Sequence, residues 1–328
     1  MLIPVIAFAG ICVGRLNRAV GDYPYSTELP KPGIGVDFKY DDRIADIYVR
    51  WSNLVDNVLT AVWKAPTGVA RRALRVRARD GCTIGGYILE PEGCGAEKLP
   101  TMLYCHGGAF FLTMMNCQLD MAAAYAGDLH CRVVMPQYRT SLDHPYPTPF
   151  YDCCDVLRAL AEWDETDADR VMIYGDSAGG CLAAEVTHWC CDEGLLMPAA
   201  QMLIYPVTEN EWQSASMLEY ENAVWTKDAN AHMWKKYLNG CVPTSDEYAV
   251  PMLHERFPAY PKTYVEVAEM DTLRDQGLAY AGRMESFDIE VETEVVPGAY
   301  HGYDSDVNNA LVRRRIEQRE MWLRDAIR

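Results

Sequence analysis

From residue 74 onward, short apolar runs alternate with longer stretches in which apolar positions recur every three to four residues. The short runs read as buried strands and the longer ones as amphipathic helices. Strands are expected over 74–79, 83–90, 101–104, 132–136, 170–174, 200–205, 262–268 and 290–296. Helices are expected over 120–129, 151–163, 177–191, 275–286 and 306–327. Such alternation builds an α/β fold around a largely parallel sheet. Asp80-Gly81 falls between the first two strands and predicts a tight hairpin, so the sheet should open on an antiparallel pair. Asp275 and Asp306 are expected as helix N-caps, and Gly194 as the residue just past the helix that begins at Ser177.

Two segments break the alternation: 1–70, with Trp51 and Trp63, and 208–250, with Trp212, Trp225 and Trp234. Insertions of this kind tend to lie over the end of the sheet where ligands bind. The expected organisation is an N-terminal cap segment (1–70), a catalytic domain (71–207 and 251–328) and an inserted cap segment (208–250). The indoles would either roof an apolar pocket or hold the cap helices together, and both readings stand. Residues 2–13 are apolar but too short to span a bilayer as a helix. Pro4 interrupts them and no Lys or Arg precedes them, which favours a packed helix over an export signal. No stable membrane insertion is expected.

The net charge of −17 excludes the clustered basic surface that nucleic acid or an anionic membrane would need. The local exception, Arg75, Arg77 and Arg79, alternates with Val76 and Ala78 and reads as the wet face of a strand. The twelve cysteines contain no Cys-x-x-Cys. The adjacent pairs Cys153-Cys154 and Cys190-Cys191 would strain a disulfide, so free thiols and a reducing, cytoplasmic compartment are expected, with export as the alternative. His188, Cys190 and Cys191 read as buried structural groups rather than metal ligands. A homodimer is left open.

The chemistry concentrates in a few places. The strand 170–174 runs into Gly175-Asp176-Ser177-Ala178-Gly179-Gly180 and then into a helix, the context in which Gly-x-Ser-x-Gly presents a nucleophilic serine. Side chains at 175 and 179 would collide with their neighbours in so tight a turn. His106-Gly107-Gly108 follows another strand, where backbone N–H groups can meet a developing oxyanion. Gly107, Gly108 and Ala178 are the expected donors. The base and its orienting acid should follow in the order Ser, Asp or Glu, His. His301 lies after the last strand and is the expected base, and Asp271 the expected acid, with Glu269 and Asp275 as close competitors. Acyl transfer by Ser177, His301 and Asp271 needs no metal and no organic cofactor.

These motifs resemble the hormone-sensitive lipase family of α/β-hydrolases from about residue 70 to the C-terminus. Tyr138-Arg139, His144-Pro145-Tyr146-Pro147, Leu203-Ile204-Tyr205-Pro206 and Asp271-Thr272-Leu273-Arg274-Asp275 also match, as does His301-Gly302-Tyr303. The resemblance implies an eight-stranded hydrolase sheet, a helical cap, and hydrolysis of small-molecule esters with short to medium acyl chains. Gln137 departs from the usual Asp, Thr140-Ser141-Leu142-Asp143 from the usual Leu-Ala-Pro-Glu, and Tyr303 from the usual Phe. An amidase or peptidase could use the same residues. Some relatives bind a ligand without hydrolysing it, although here serine, acid and histidine are all retained. No segment announces an interfacial lid, which disfavours a true lipase.

Overall fold

The computed structural model describes residues 17–18, 20–32, 35–36, 42–211, 213–245 and 247–328. A small antiparallel pair, β1 (Asn17–Arg18) and β2 (Gly35–Val36), precedes an eight-stranded sheet. The sheet strands are β3 (Val69–Arg77), β4 (Thr83–Pro91), β5 (Leu99–Cys105), β6 (Arg132–Gln137), β7 (Thr166–Asp176), β8 (Ala200–Ile204), β9 (Lys262–Met270) and β10 (Val291–Tyr300). Their spatial order is β3-β4-β6-β5-β7-β8-β9-β10. β4 runs antiparallel to both its neighbours and every other pairing is parallel.

The helices are α1 (Asp42–Val62), α2 (Asn116–Asp128), α3 (Thr148–Glu162), α4 (Ala178–Asp192), α5 (Ala215–Glu219), α6 (Lys227–Leu238), α7 (Arg274–Glu285) and α8 (Ala310–Ala326). Successive side chains of a strand point to opposite faces. In β7, Val171 and Ile173 therefore join one buried cluster, while Met172 and Tyr174 join the other. Burial on both faces is why the central strands read as unbroken apolar runs. The expected hairpin is present, with Arg77 opposite Thr83 and Gly81 at φ +89°.

The structure corrects several local expectations. β10 continues past Pro297 to Tyr300. It is the edge strand, where a missing ladder N–H costs little. Asp306 does not cap α8: Asn309 does, accepting the N–H groups of Leu311 and Val312. Asp275 lies in the first turn of α7 rather than at its N-cap, which is Leu273. Its carboxylate accepts the Ser216 N–H at 2.7 Å, and the Ser216 hydroxyl accepts the Asp275 N–H at 3.1 Å, so α5 and α7 cap one another. Arg75 and Arg77 are exposed as expected. Arg79 is exposed as well, and it also pairs with Asp155 at 2.8 Å and covers the Tyr151 ring. Gly194 follows α4 at φ +61°, as a C-terminal stop should. Residues 2–13 and Trp212 lie outside the described residues. Among the described residues, no helix is long and apolar enough to cross a membrane.

One buried acid makes stability depend on pH. Burial first, and Asp128 second, push Glu320 on α8 up to about 7 from its ordinary 4.5. A carboxyl whose folded pKa is raised costs stability as pH climbs from 4.5 through 7, because only the unfolded chain ionises freely. Glu320→Gln should therefore raise the melting temperature above pH 7 and leave it unchanged below pH 4.5. Equal melting curves at pH 8 would refute this.

Candidate active site

β7 ends at Asp176 and α4 begins at Ala178, so Ser177 alone makes the turn. Its φ of 55° and ψ of −122° lie where L-residues rarely go, a strain of about 1–3 kcal/mol. Neighbouring backbone holds it there. The Ser177 N–H bonds the Ile204 carbonyl at 2.9 Å, and its carbonyl accepts the Gly180 and Val207 N–H groups at 2.9 and 3.0 Å. A Cβ on Gly175 would lie 2.1 Å from the Gly179 carbonyl oxygen, and one on Gly179 would lie 2.1 Å from the Cys105 oxygen. Backbone atoms cannot step aside as a side chain can. Gly179→Ala should cost about 3 kcal/mol, read as a lowered denaturation midpoint. A midpoint equal to wild type would contradict the fit.

The other two expected residues come from the carboxyl ends of β9 and β10. The Ser177 hydroxyl lies 2.8 Å from Nε2 of His301, and Nδ1 of His301 lies 2.7 Å from Oδ2 of Asp271. The Asp271 side chain is fully buried, and its other oxygen accepts the Leu273 N–H at 3.1 Å. A carboxylate at Nδ1 fixes the proton there and turns the Nε2 lone pair toward serine. The competing acids are committed elsewhere: Glu269 accepts the Gly298 N–H at 2.7 Å, and Asp275 holds Ser216.

His106 supports the loop after β5. Its ring is buried and stacks on Tyr138 at 4.2 Å, while the Tyr138 hydroxyl donates to the His106 carbonyl at 2.8 Å. Burial brings His106 down to about 4, so it is neutral near pH 7, with Nδ1 donating to the Gly107 carbonyl. Gly108, Ala109 and Phe110 all have positive φ, which doubles the chain back. Phe110 then stacks on Tyr237 of α6 at 3.8 Å. Gly107 packs directly on the nucleophile turn, where a Cβ would lie 2.3 Å from Asp176 Oδ2 and 2.8 Å from the Asp176 carbonyl oxygen. Gly108 and Ala109 line the cavity, whereas Gly107 does not. Ala178 is the first residue of α4, where N–H groups have no intrahelical acceptor.

The cavity holds about 430 Å³ and reaches from Ser177 and His301 to Tyr48 and Val49 of α1. Trp225 lines it, with its ring 5.9 Å from that of His301. Trp234 is instead buried against Phe110 and Tyr237. The two readings of the indoles are thus divided between two residues. The cavity's polar end carries Gln118, Asp176 and Asp304. Burial first, then Asp304, raises Asp176 to about 6. Sequence reasoning missed Asp304 and Gln118, and it quoted Tyr205 within the run Leu203-Ile204-Tyr205-Pro206 without giving it a role.

Residues 102–305 match a family described by the alpha/beta hydrolase fold. An ethyl acetate hydrolase of Pseudomonas putida is 29% identical over 237 residues, covering 70% of this chain and 74% of the relative. The carboxylesterase NlhH of Mycobacterium tuberculosis is 30% identical over 224 residues, covering 66% of this chain and 69% of the relative. Among solved structures, the esterase LipW of Mycobacterium marinum has a TM-score of 0.80 at 27% identity, covering 90% of this chain and 93% of LipW. The chain belongs to the α/β-hydrolase family, within its hormone-sensitive-lipase-like group of serine carboxylesterases.

Proposed function

We propose that this chain hydrolyses small carboxylic esters with short to medium acyl chains through Ser177, His301 and Asp271. The carrying observation is the line of hydrogen bonds, 2.8 and 2.7 Å, that ends on Ser177 at the cavity wall. His301 takes the Ser177 proton as the oxygen attacks the ester carbonyl, then gives it to the departing alkoxide. Water repeats the sequence on the acyl-enzyme and releases the acid. Asp271 holds the imidazole tautomer and stabilises its charged form. Gly108, Ala109 and Ala178 supply the oxyanion N–H groups in this reading. Ala109, on the cavity wall, takes in this reading the place first expected of Gly107, which packs against Asp176.

We read α1, α5 and α6 as the cap over this site. Trp225 would set the length of chain admitted. Trp225→Ala should raise kcat/KM for octanoate over acetate esters severalfold, and an unchanged chain-length profile would remove that role. The eleven described cysteines are free thiols, which supports a reducing, cytoplasmic setting. A chain-length series of p-nitrophenyl esters, assayed beside matched anilides, tests the central claim. Faster turnover of the anilides would replace esterase by amidase, and no turnover of any ester would refute it.

A further inference from the structure

We propose that Arg319, on the C-terminal helix α8, is a positioning residue for His301 and acts through Asp304. The proposal rests on the triad reading above. Arg319 is wholly buried, and its guanidinium bridges two buried carboxylates. One is Asp304, three residues beyond His301, whose Oδ2 accepts from Arg319 at 2.9 Å. The other is Glu266 of β9, which also accepts from Arg315 at 2.7 Å and from the Tyr303 hydroxyl at 2.6 Å. Both residues that follow His301-Gly302 are therefore tied to one charged cluster beneath the sheet's edge.

The tie reaches the histidine from a second side. The Tyr205 hydroxyl donates to Asp304 Oδ1 at 2.5 Å, and the Tyr205 ring lies 4.9 Å from the His301 ring. Gly302, at φ +73°, would otherwise leave the loop with little to fix its direction. A buried guanidinium is a costly way to pack a helix, since apolar side chains do this as well or better. Its geometry suits holding the loop. The groups facing His301 are Asp271 from the end of β9, Ser177, Tyr205 after β8, and Trp225 from the inserted segment. Asp304 in its own loop and Asp176 beside Ser177 complete the charged surroundings.

The test is the pH profile of kcat/KM on a neutral p-nitrophenyl ester for wild type, Arg319→Gln, Asp304→Asn and the double variant. Arg319→Gln leaves the Asp304 charge uncompensated, which favours imidazolium, so the acidic limb should move up by about half a pH unit or more. Asp304→Asn leaves Arg319 in excess locally, so the limb should move down. The double variant should return the limb toward its wild-type position while kcat stays roughly tenfold low, because the loop is no longer held. KM should change less than kcat in each. Folded single variants, checked by near-UV circular dichroism, with both limbs at the wild-type position would overturn the proposal and leave the cluster a structural contact only. Should Arg319→Gln fail to fold, Asp304→Asn decides, since an amide keeps the loop's shape, and an unmoved limb there overturns it equally. Activity that survives Ser177→Ala would instead overturn the triad reading, and this proposal with it.

Discussion

Ser177→Ala is expected to lower kcat on p-nitrophenyl esters by roughly four to six orders of magnitude while the protein keeps its melting temperature. The size follows from what is lost. Without the hydroxyl there is no acyl-enzyme, and His301 can at best direct water at the carbonyl. The oxyanion donors and the cavity remain, so a residual rate above that of water alone should persist. Alanine fits the space of Ser177 but not its dihedrals any better, and the strain at φ 55° stays as it was. Stability should therefore change little. Activity within tenfold of wild type would remove Ser177 as nucleophile.

Asp271→Asn carries the second largest effect, a fall in kcat of about four orders of magnitude, or roughly 5.5 kcal/mol. An amide can present its NH2 group to Nδ1, which then accepts rather than donates. The proton moves to Nε2, and the lone pair that should take the Ser177 proton disappears. The 2.7 Å contact and the full burial of Asp271 leave no solvent to repair this. Glu269→Gln and Asp275→Asn are the matched controls. Glu269 steadies the strand end through Gly298, and Asp275 joins α7 to α5, so each should cost less than about tenfold in kcat. A larger loss at either control than at Asp271→Asn would transfer the role.

The sheet was legible because its strands are buried on both faces and its turns are punctuated. Val171 to Tyr174 stays apolar throughout, and Asp80-Gly81 marks the hairpin. The helix ends were less legible. Asp275 and Asp306 have the right residue type for a cap, but a cap depends on which N–H groups the chain brings within reach. Asn309 met that condition for α8, and Asp275 met it for a different helix. The oxyanion loop shows the same limit. Two glycines in sequence look alike, and only the packing of Gly107 on Asp176 separates it from Gly108 at the cavity wall.

The α/β alternation, the glycine-flanked turn at Ser177 and the chain order of Ser177, Asp271 and His301 can thus be read from the residues alone. These are local: steric demands at Gly175 and Gly179, and periodicities of two and about 3.6 residues. The tertiary structure alone decided which of the neighbouring acids meets His301, which indole lines the cavity, and that a buried arginine 18 positions after His301 is tied to its loop. Those choices are set by side-chain direction at strand ends and by pairing across elements. A hydrogen bond between residues far apart in the chain leaves no periodicity to read.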